Sequence, residues 1–257
     1  MSNFRNGRSL TARSVLLSVL LGTDPPRLPV RLLVSTTALF GITENTARTA
    51  LSRMAAAGEV RADDGWYEIV APRLIERRAS QEVGRRGARG TWDGSWLCVV
   101  IAADGSRPAD ERASLRSDLT GARLAELREG VWLRPDNIPR IELPPRDELV
   151  VLRSRPDDDP EKLARRLWDL DAWSLQSQEL RRRLGELIGP LEAGDRGVLT
   201  DGFVLSAEVL RHLRTDPLLP PALVNREWPG DDLRVDYEQY DRAYRQVLRS
   251  WFDLHRP

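Results

Sequence analysis

Apolar positions in the first part of the chain recur every three or four residues, which is the period of an amphipathic α-helix. The first stripe consists of Leu10, Val15, Leu16, Val19 and Leu20. Gly22 is placed to end that helix. The second stripe consists of Leu32, Leu33, Thr36, Leu39 and Phe40. Pro29 suits the first position of this second helix, because a backbone amide there needs no partner.

A third predicted helix, residues 44–57, has two contrasting faces. Thr43 is a good N-cap and Gly58 closes the helix. One face carries Ala47, Ala50, Leu51 and Met54, and the opposite face carries Asn45, Arg48, Thr49, Ser52 and Arg53. Such amide, hydroxyl and guanidinium groups hydrogen-bond base edges and phosphates. The pattern therefore predicts a recognition helix.

Two short strands, 59–62 and 66–70, follow this helix and are joined by Asp63-Asp64-Gly65. An Asp-Gly pair is a strong hairpin signal. Helix, helix, turn, helix and hairpin together indicate a winged helix-turn-helix, which places one helix in the DNA major groove. The competing interpretation is a winged helix that docks another protein and has no affinity for DNA.

The rest of the chain predicts two further domains. A short helix at 73–83 and a basic, glycine-rich linker at 84–90 end the first domain, residues 1–90. Strands at 96–102, 130–133, 138–143 and 149–153 and helices at 108–120 and 159–168 have the order β-α-β-β-α or β-α-β-β-β-α. This order predicts a ferredoxin-like domain over residues 91–170. Helices at 173–188, 203–213 and 232–254 predict a helical domain over residues 171–257. The expected fold class is α+β.

Charge is unevenly distributed along the 257 residues, although the formal net charge is zero. Residues 1–90 hold 14 arginines and 8 acidic residues, a net charge of +6, and the remainder carries a net charge of −6. A basic first domain suits a polyanionic partner. The apolar run 15–21 is too short to span a membrane, so we expect a cytoplasmic protein without membrane contact. The lone cysteine, Cys98, is expected to be a buried, inert thiol.

The chain resembles the PaaX-like repressors, the regulators of phenylacetic acid degradation. The resemblance is carried by Phe40-Gly41-Ile42, residues 47–54, Gly58, Trp66-Tyr67, residues 92–96, 112–119 and 130–135, residues 211–220 and Trp228-Pro229-Gly230. It implies an N-terminal winged helix, a central Cas2-like ferredoxin domain used for dimerisation, and a C-terminal helical domain. It also implies a homodimer that binds a near-palindromic operator.

The resemblance implies DNA contacts by Thr43, Asn45, Arg48, Thr49, Ser52 and Arg53. In the best-known members an aromatic acyl-CoA, phenylacetyl-CoA, releases the repressor from DNA. Gln178 and Arg182 stand where a tyrosine or phenylalanine is more usual, which bears on the effector pocket. No effector-binding residues are assigned. We expect a regulator of a catabolic operon that is not an enzyme and uses no cofactor.

Two alternatives remain from the sequence. Cas2 nucleases carry a metal-binding Asp after their first strand, and Asp104 stands at about that place, where Asp104-Gly105-Ser106 also forms a turn sequence. A Mg²⁺-dependent nuclease is therefore one alternative, and a dimerisation scaffold without DNA affinity is the other. The only histidines, His212 and His255, are far apart in the chain, and with a single cysteine they make a zinc site improbable.

Overall fold

The computed structural model describes residues 10–87, 90–102, 108–138, 143 and 148–254. Helices and strands are both present, so the predicted α+β class is confirmed. The chain forms two compact units. The first comprises Met1–Ala79, Leu187–Ala207 and Tyr240–Pro257, and the second comprises Ser80–Glu186 and Glu208–Gln239.

The front of the first unit contains the three helices and the hairpin that the sequence patterns predict. Its elements are α1 (Ala12–Leu21), β1 (Arg27–Pro29), α2 (Val30–Ala38), α3 (Glu44–Ala56), β2 (Val60–Asp63) and β3 (Trp66–Ile69). The three strands form an antiparallel sheet in the order β1-β3-β2. Asp64 and Gly65 join β2 to β3 with φ angles of 41° and 76°. Positive φ at both central residues is what a tight hairpin turn of this kind requires.

Helix caps and buried leucines hold the three helices together. Thr11 begins α1 as a reciprocal cap, since its hydroxyl accepts from the Ser14 backbone amide and the Ser14 hydroxyl accepts from the Thr11 amide. The buried side chains behind α3 include Leu16, Leu20, Leu33, Leu51 and Met54. These are mainly the apolar positions that the helical period selects, and their burial turns the polar face of α3 outward.

Segments from the last third of the chain complete the first unit. The rings of Phe203 and Phe40 meet edge to face with centroids 4.8 Å apart. The Thr200 hydroxyl donates to the Leu39 carbonyl at 3.2 Å. The turn between α2 and α3 is therefore supported by residues that are about 160 positions away in sequence.

The second unit contains a four-stranded sheet of ferredoxin-like topology. Its elements are β4 (Trp96–Ile101), α5 (Ala109–Gly121), β5 (Ala125–Arg128), β6 (Val131–Pro135), β7 (Leu149–Ser154) and α6 (Pro160–Leu167). The strand order is β5-β6-β4-β7, and all neighbours are antiparallel. The observed order β-α-β-β-β-α has the same letters as the second predicted order, but it contains β5, which was not predicted, and the predicted strand 138–143 is not among the described strands.

The sequence patterns did not predict two of the observed strands, and one predicted strand is absent from the residues that the structure describes. β1 is three residues long and ends in a proline, and β5 is a four-residue strand with a register shift. Ala and Glu, which β5 contains, are depleted in strands generally, so its sequence gives little signal. In the predicted strand 138–143, Ile138 and Leu143 are not in a strand, and residues 139–142 lie outside the described residues.

The remaining long helices are α4 (Pro72–Arg86), α7 (Leu170–Glu192), α8 (Leu199–Arg214) and α9 (Gly230–Leu254). A short 3₁₀ helix, Pro221–Leu223, lies between α8 and α9. Residues 84–86 of the predicted flexible linker belong to α4, and residues 88 and 89 lie outside the described part. Among the helices that the structure describes, none combines the length and the apolar character needed to cross a membrane.

A buried charge network in the second unit links α4 and α9 to the segments that follow α5 and α8. Arg123 donates to the carbonyls of Asp216 at 3.1 Å and Ser80 at 3.0 Å. Arg234 donates to the Gly84 carbonyl at 2.8 Å and pairs with the Asp216 carboxylate. Burial of these charges is tolerated because each guanidinium finds carbonyl or carboxylate acceptors. Asp216 lies in the segment 211–220 that carried part of the family resemblance.

Candidate nucleic-acid interface

The exposed face of α3 presents hydrogen-bonding side chains on a rigid helix. Thr43 caps the helix, and its hydroxyl accepts from the Thr46 backbone amide at 3.3 Å. Ala47, Leu51 and Met54 are buried on the inner side. Packing of these three side chains fixes the rotation of α3 about its axis, so the polar side chains cannot turn inward without breaking the core.

All six side chains that the sequence nominated for DNA contact are exposed. They are Thr43, Asn45, Arg48, Thr49, Ser52 and Arg53. Arg48 is held along the helix by the Glu44 carboxylate, with 2.7 Å between Nε and Oε1. The Ser52 hydroxyl donates to the Arg48 carbonyl at 3.1 Å. A guanidinium has five N–H donors, so Arg48 retains free donors beside this ion pair.

An open cavity of about 520 Å³ runs along one flank of α3. Asn45, Thr49 and Arg53 line it from α3, and Arg13 and Glu59 line it from the start of α1 and the segment after α3. Asn45, Thr49 and Arg53 are spaced four positions apart, so the helical period already places them on one flank, and the tertiary structure adds the facing wall of Arg13 and Glu59.

Arg13 and Glu59 form a two-contact ion pair at the cavity wall. Arg13 Nε lies 3.0 Å from Glu59 Oε2, and Arg13 Nη2 contacts Glu59 Oε1. The hydrogen bond to Glu59 raises the pKa of Arg13. Sequence reasoning missed both residues, because they are 46 positions apart and neither lies on α3. The basic charge of residues 1–90 was the only signal that included Arg13.

The wing, which is the hairpin of β2 and β3, carries ion-paired side chains and an acidic tip. Arg27 pairs with Asp63 at 3.1 Å and stacks over the Trp66 ring at 5.1 Å from its centroid. Arg61 pairs with Glu68 at 2.7 Å. Asp64, at the tip, is exposed. The tip of the hairpin is thus less favourable for a phosphate backbone than the face of α3 is.

The residues that bear on enzyme chemistry are Asp104 and Cys98. In the described part of the chain, no group of three or more His, Cys, Asp or Glu residues is placed to hold a metal ion. Asp104, the candidate for a nuclease metal ligand, lies outside the described residues. Cys98 is half-buried, and burial raises the pKa of its thiol, which disfavours the reactive thiolate.

His212 belongs to an aromatic stack in the second unit. Its ring stacks on Trp173 with 4.4 Å between centroids, and Trp173 stacks on Trp228 at 4.6 Å. His212 Nε2 lies 2.7 Å from the buried Ser177 hydroxyl. Burial lowers the pKa of His212 below its ordinary value of 6.5. These contacts account for the histidine by packing and hydrogen bonding.

Comparison with known proteins agrees with this architecture. Residues 11–68 match the family model described as PaaX-like protein, and residues 89–142 match the PaaX protein central Cas2-like domain. Among solved structures, the uncharacterized protein Rv0674 from Mycobacterium tuberculosis is 38% identical, with a TM-score of 0.68, over 94% of this chain and 99% of that chain. No curated protein shows significant similarity to the chain. The PaaX-like family is generally one of transcriptional regulators. With both family segments matched in order and a relative of 38% identity spanning nearly the whole chain, this protein belongs to the PaaX-like family.

Proposed function

We propose that this protein is a sequence-specific DNA-binding transcription regulator that represses a catabolic operon. The observation that carries the proposal is the exposed polar face of α3, held outward by Ala47, Leu51 and Met54. A helix of this kind fits the major groove, where amide and guanidinium groups read base edges. The basic charge of residues 1–90 favours the same partner.

The test is binding of the full-length chain to DNA, measured by fluorescence anisotropy on duplexes selected from a random library. Arg48→Ala together with Asn45→Ala is expected to reduce the preference for the selected duplex by at least tenfold, because each good base contact contributes ~1–3 kcal/mol. The matched control is Arg165→Ala, which removes an equally exposed arginine from α6. Unchanged preference in the α3 variant would show that α3 does not read the sequence.

The same proposal includes a homodimer joined through the four-stranded sheet of the second unit. β7 is an edge strand, and it exposes Val150, Val151 and Leu152. Long apolar edge strands invite pairing with another chain, and natural proteins usually protect them. A second copy of β7 supplies a self-complementary partner across a twofold axis. Two copies of α3 would then meet two half-sites of one operator.

The proposed effector is an aromatic acyl-CoA, of which phenylacetyl-CoA is the first to test. The phosphates of a CoA thioester require arginines whose N–H groups are not already hydrogen-bonded within the protein. Arg134 is fully buried and already donates to the Asn137 side chain at 2.8 Å and to the Pro135 carbonyl at 2.8 Å, so it is not available to a ligand. Gln178 and Arg182 are exposed on α7, and Arg182 pairs there with Glu179 and Glu186.

Titration of phenylacetyl-CoA into a preformed protein–DNA complex tests the effector, with free CoA and acetyl-CoA as controls. Release is expected only with the aromatic thioester, because a ligand shifts an equilibrium only through different affinities for the two states. Retention of DNA at saturating ligand would exclude this effector while leaving the DNA-binding proposal intact.

A further inference from the structure

The two arginines of the α3 polar face point to opposite flanks of the helix. Arg48 and Arg53 are five positions apart, which corresponds to roughly 140° around a helix with 3.6 residues per turn. Arg48 lies on the flank of Glu44, and Arg53 lies on the flank that borders the cavity. A helix seated in a major groove has a phosphate ridge on each side. The two flanks are therefore suited to two different DNA strands.

The cavity enlarges the second flank beyond α3. Two arginines and one glutamate, Arg13, Arg53 and Glu59, are the charged residues in its wall. Their formal sum is +1, and Asn45 and Thr49 add neutral donors along the same side. An anionic group that accepts several hydrogen bonds fits this wall better than an apolar or cationic one does.

We propose that a backbone phosphate of the bound duplex occupies this cavity, held by Arg13 and Arg53. The inference rests on the proposed DNA binding and assigns a contact residue outside the recognition helix. Two of the five donors of Arg13 are used on Glu59, so three remain to meet phosphate oxygens without breaking the ion pair. Glu59 fixes the guanidinium against the wall and partly offsets its charge.

We call the contact of Arg13 and Arg53 with this phosphate the clamp. It is tested by the salt dependence of DNA affinity. The full-length chain is measured between 50 and 300 mM chloride, about the range over which such slopes are linear, on the selected duplex and on an unrelated duplex of equal length. Each phosphate contact contributes ~0.9 to the slope of log affinity against log salt. Arg13→Ala is expected to lower the slope by about that amount on both duplexes and to weaken both affinities roughly tenfold, leaving their ratio unchanged.

Glu59→Gln separates phosphate contact from loss of the ion pair. This variant breaks the same pair as Arg13→Ala but keeps the guanidinium and removes a negative charge from the wall. We expect an unchanged slope and a several-fold gain in affinity on both duplexes. If Glu59→Gln instead weakens binding as Arg13→Ala does, the pair is only structural and the inference is overturned.

Two further results would overturn the clamp. A wild-type slope in Arg13→Ala, with wild-type protein binding DNA normally, refutes the clamp alone, whereas wild-type protein that binds no duplex refutes the proposed function together with it.

Discussion

Replacing Gly185 by alanine is expected to raise the free energy of unfolding, whereas replacing Gly84 by alanine is expected to lower it. Gly185 lies within α7 and is exposed, and a Cβ built there meets nothing within 4 Å. Gly84 lies near the end of α4 and is buried, and a Cβ there would lie 2.6 Å from the Leu213 carbonyl oxygen. The intrinsic gain from Gly to Ala in a helix is ~1 kcal/mol, so only the surroundings separate the two sites.

The cost at Gly84 follows from what surrounds it. The obstructing atom belongs to the backbone of α8, so no side-chain rotation relieves the contact, and the Arg123 Nη2 atom lies 3.2 Å from the same point. Overpacking of this kind costs ~1–3 kcal/mol. Displacement also disturbs the hydrogen bond from Arg234 to the Gly84 carbonyl. Because the contact is with rigid backbone, the cost is expected at the upper end of this range, ~2–3 kcal/mol, and the helix-propensity gain offsets ~1 kcal/mol of it, so we expect Gly84→Ala to lower the free energy of unfolding by about 1–2 kcal/mol.

Differential scanning calorimetry of the two variants beside wild type provides the measurement. For a chain of this size Tm moves by ~2–4 °C per kcal/mol, so Gly185→Ala is expected to raise Tm by about 2–4 °C and Gly84→Ala to lower it by about 2–8 °C. A rise in Tm for both variants would show that α4 and α8 do not approach as closely at this point as the geometry says. The reasoning about the buried network around Asp216 would then fail as well.

Three other predictions concern the wing, the aromatic stack and the sheet edge. Asp64→Asn removes an exposed negative charge from the wing tip and is expected to raise DNA affinity a few-fold at low salt; an unchanged affinity would place the tip away from the duplex. Because burial lowers the pKa of His212, the unfolded chain binds more protons just below pH 6.5, so the free energy of unfolding falls as pH decreases through that window. Urea unfolding at about pH 7.5 and 5.5, on either side of this window, is expected to show a smaller difference for His212→Gln than for wild type, and equal differences would contradict this origin. Val151→Arg places a charge on the exposed edge strand and is expected to convert a dimer to monomer in light scattering, whereas a persistent dimer would locate the interface elsewhere.

Local sequence patterns were sufficient for most helices and for the wing. The polar and apolar faces of α3, its Thr43 cap and its closing Gly58 are all readable from spacing, because each depends on interactions within about four residues. The hairpin turn at Asp64-Gly65 is equally local. The strands β1 and β5 were not readable in this way. β5 has residues of low strand preference and exists because β6 pairs with it.

The sequence by itself determined that this chain has a basic front module with one helix of donors facing outward, since periodicity, capping and charge are properties of neighbouring residues. Tertiary structure alone decided that Asn45, Thr49 and Arg53 share a cavity with Arg13 and Glu59, and that Gly84 has no room for a side chain. Those facts depend on segments from 46 to about 130 positions apart being brought into contact. No local pattern encodes such distances, because they are fixed only when the whole core packs.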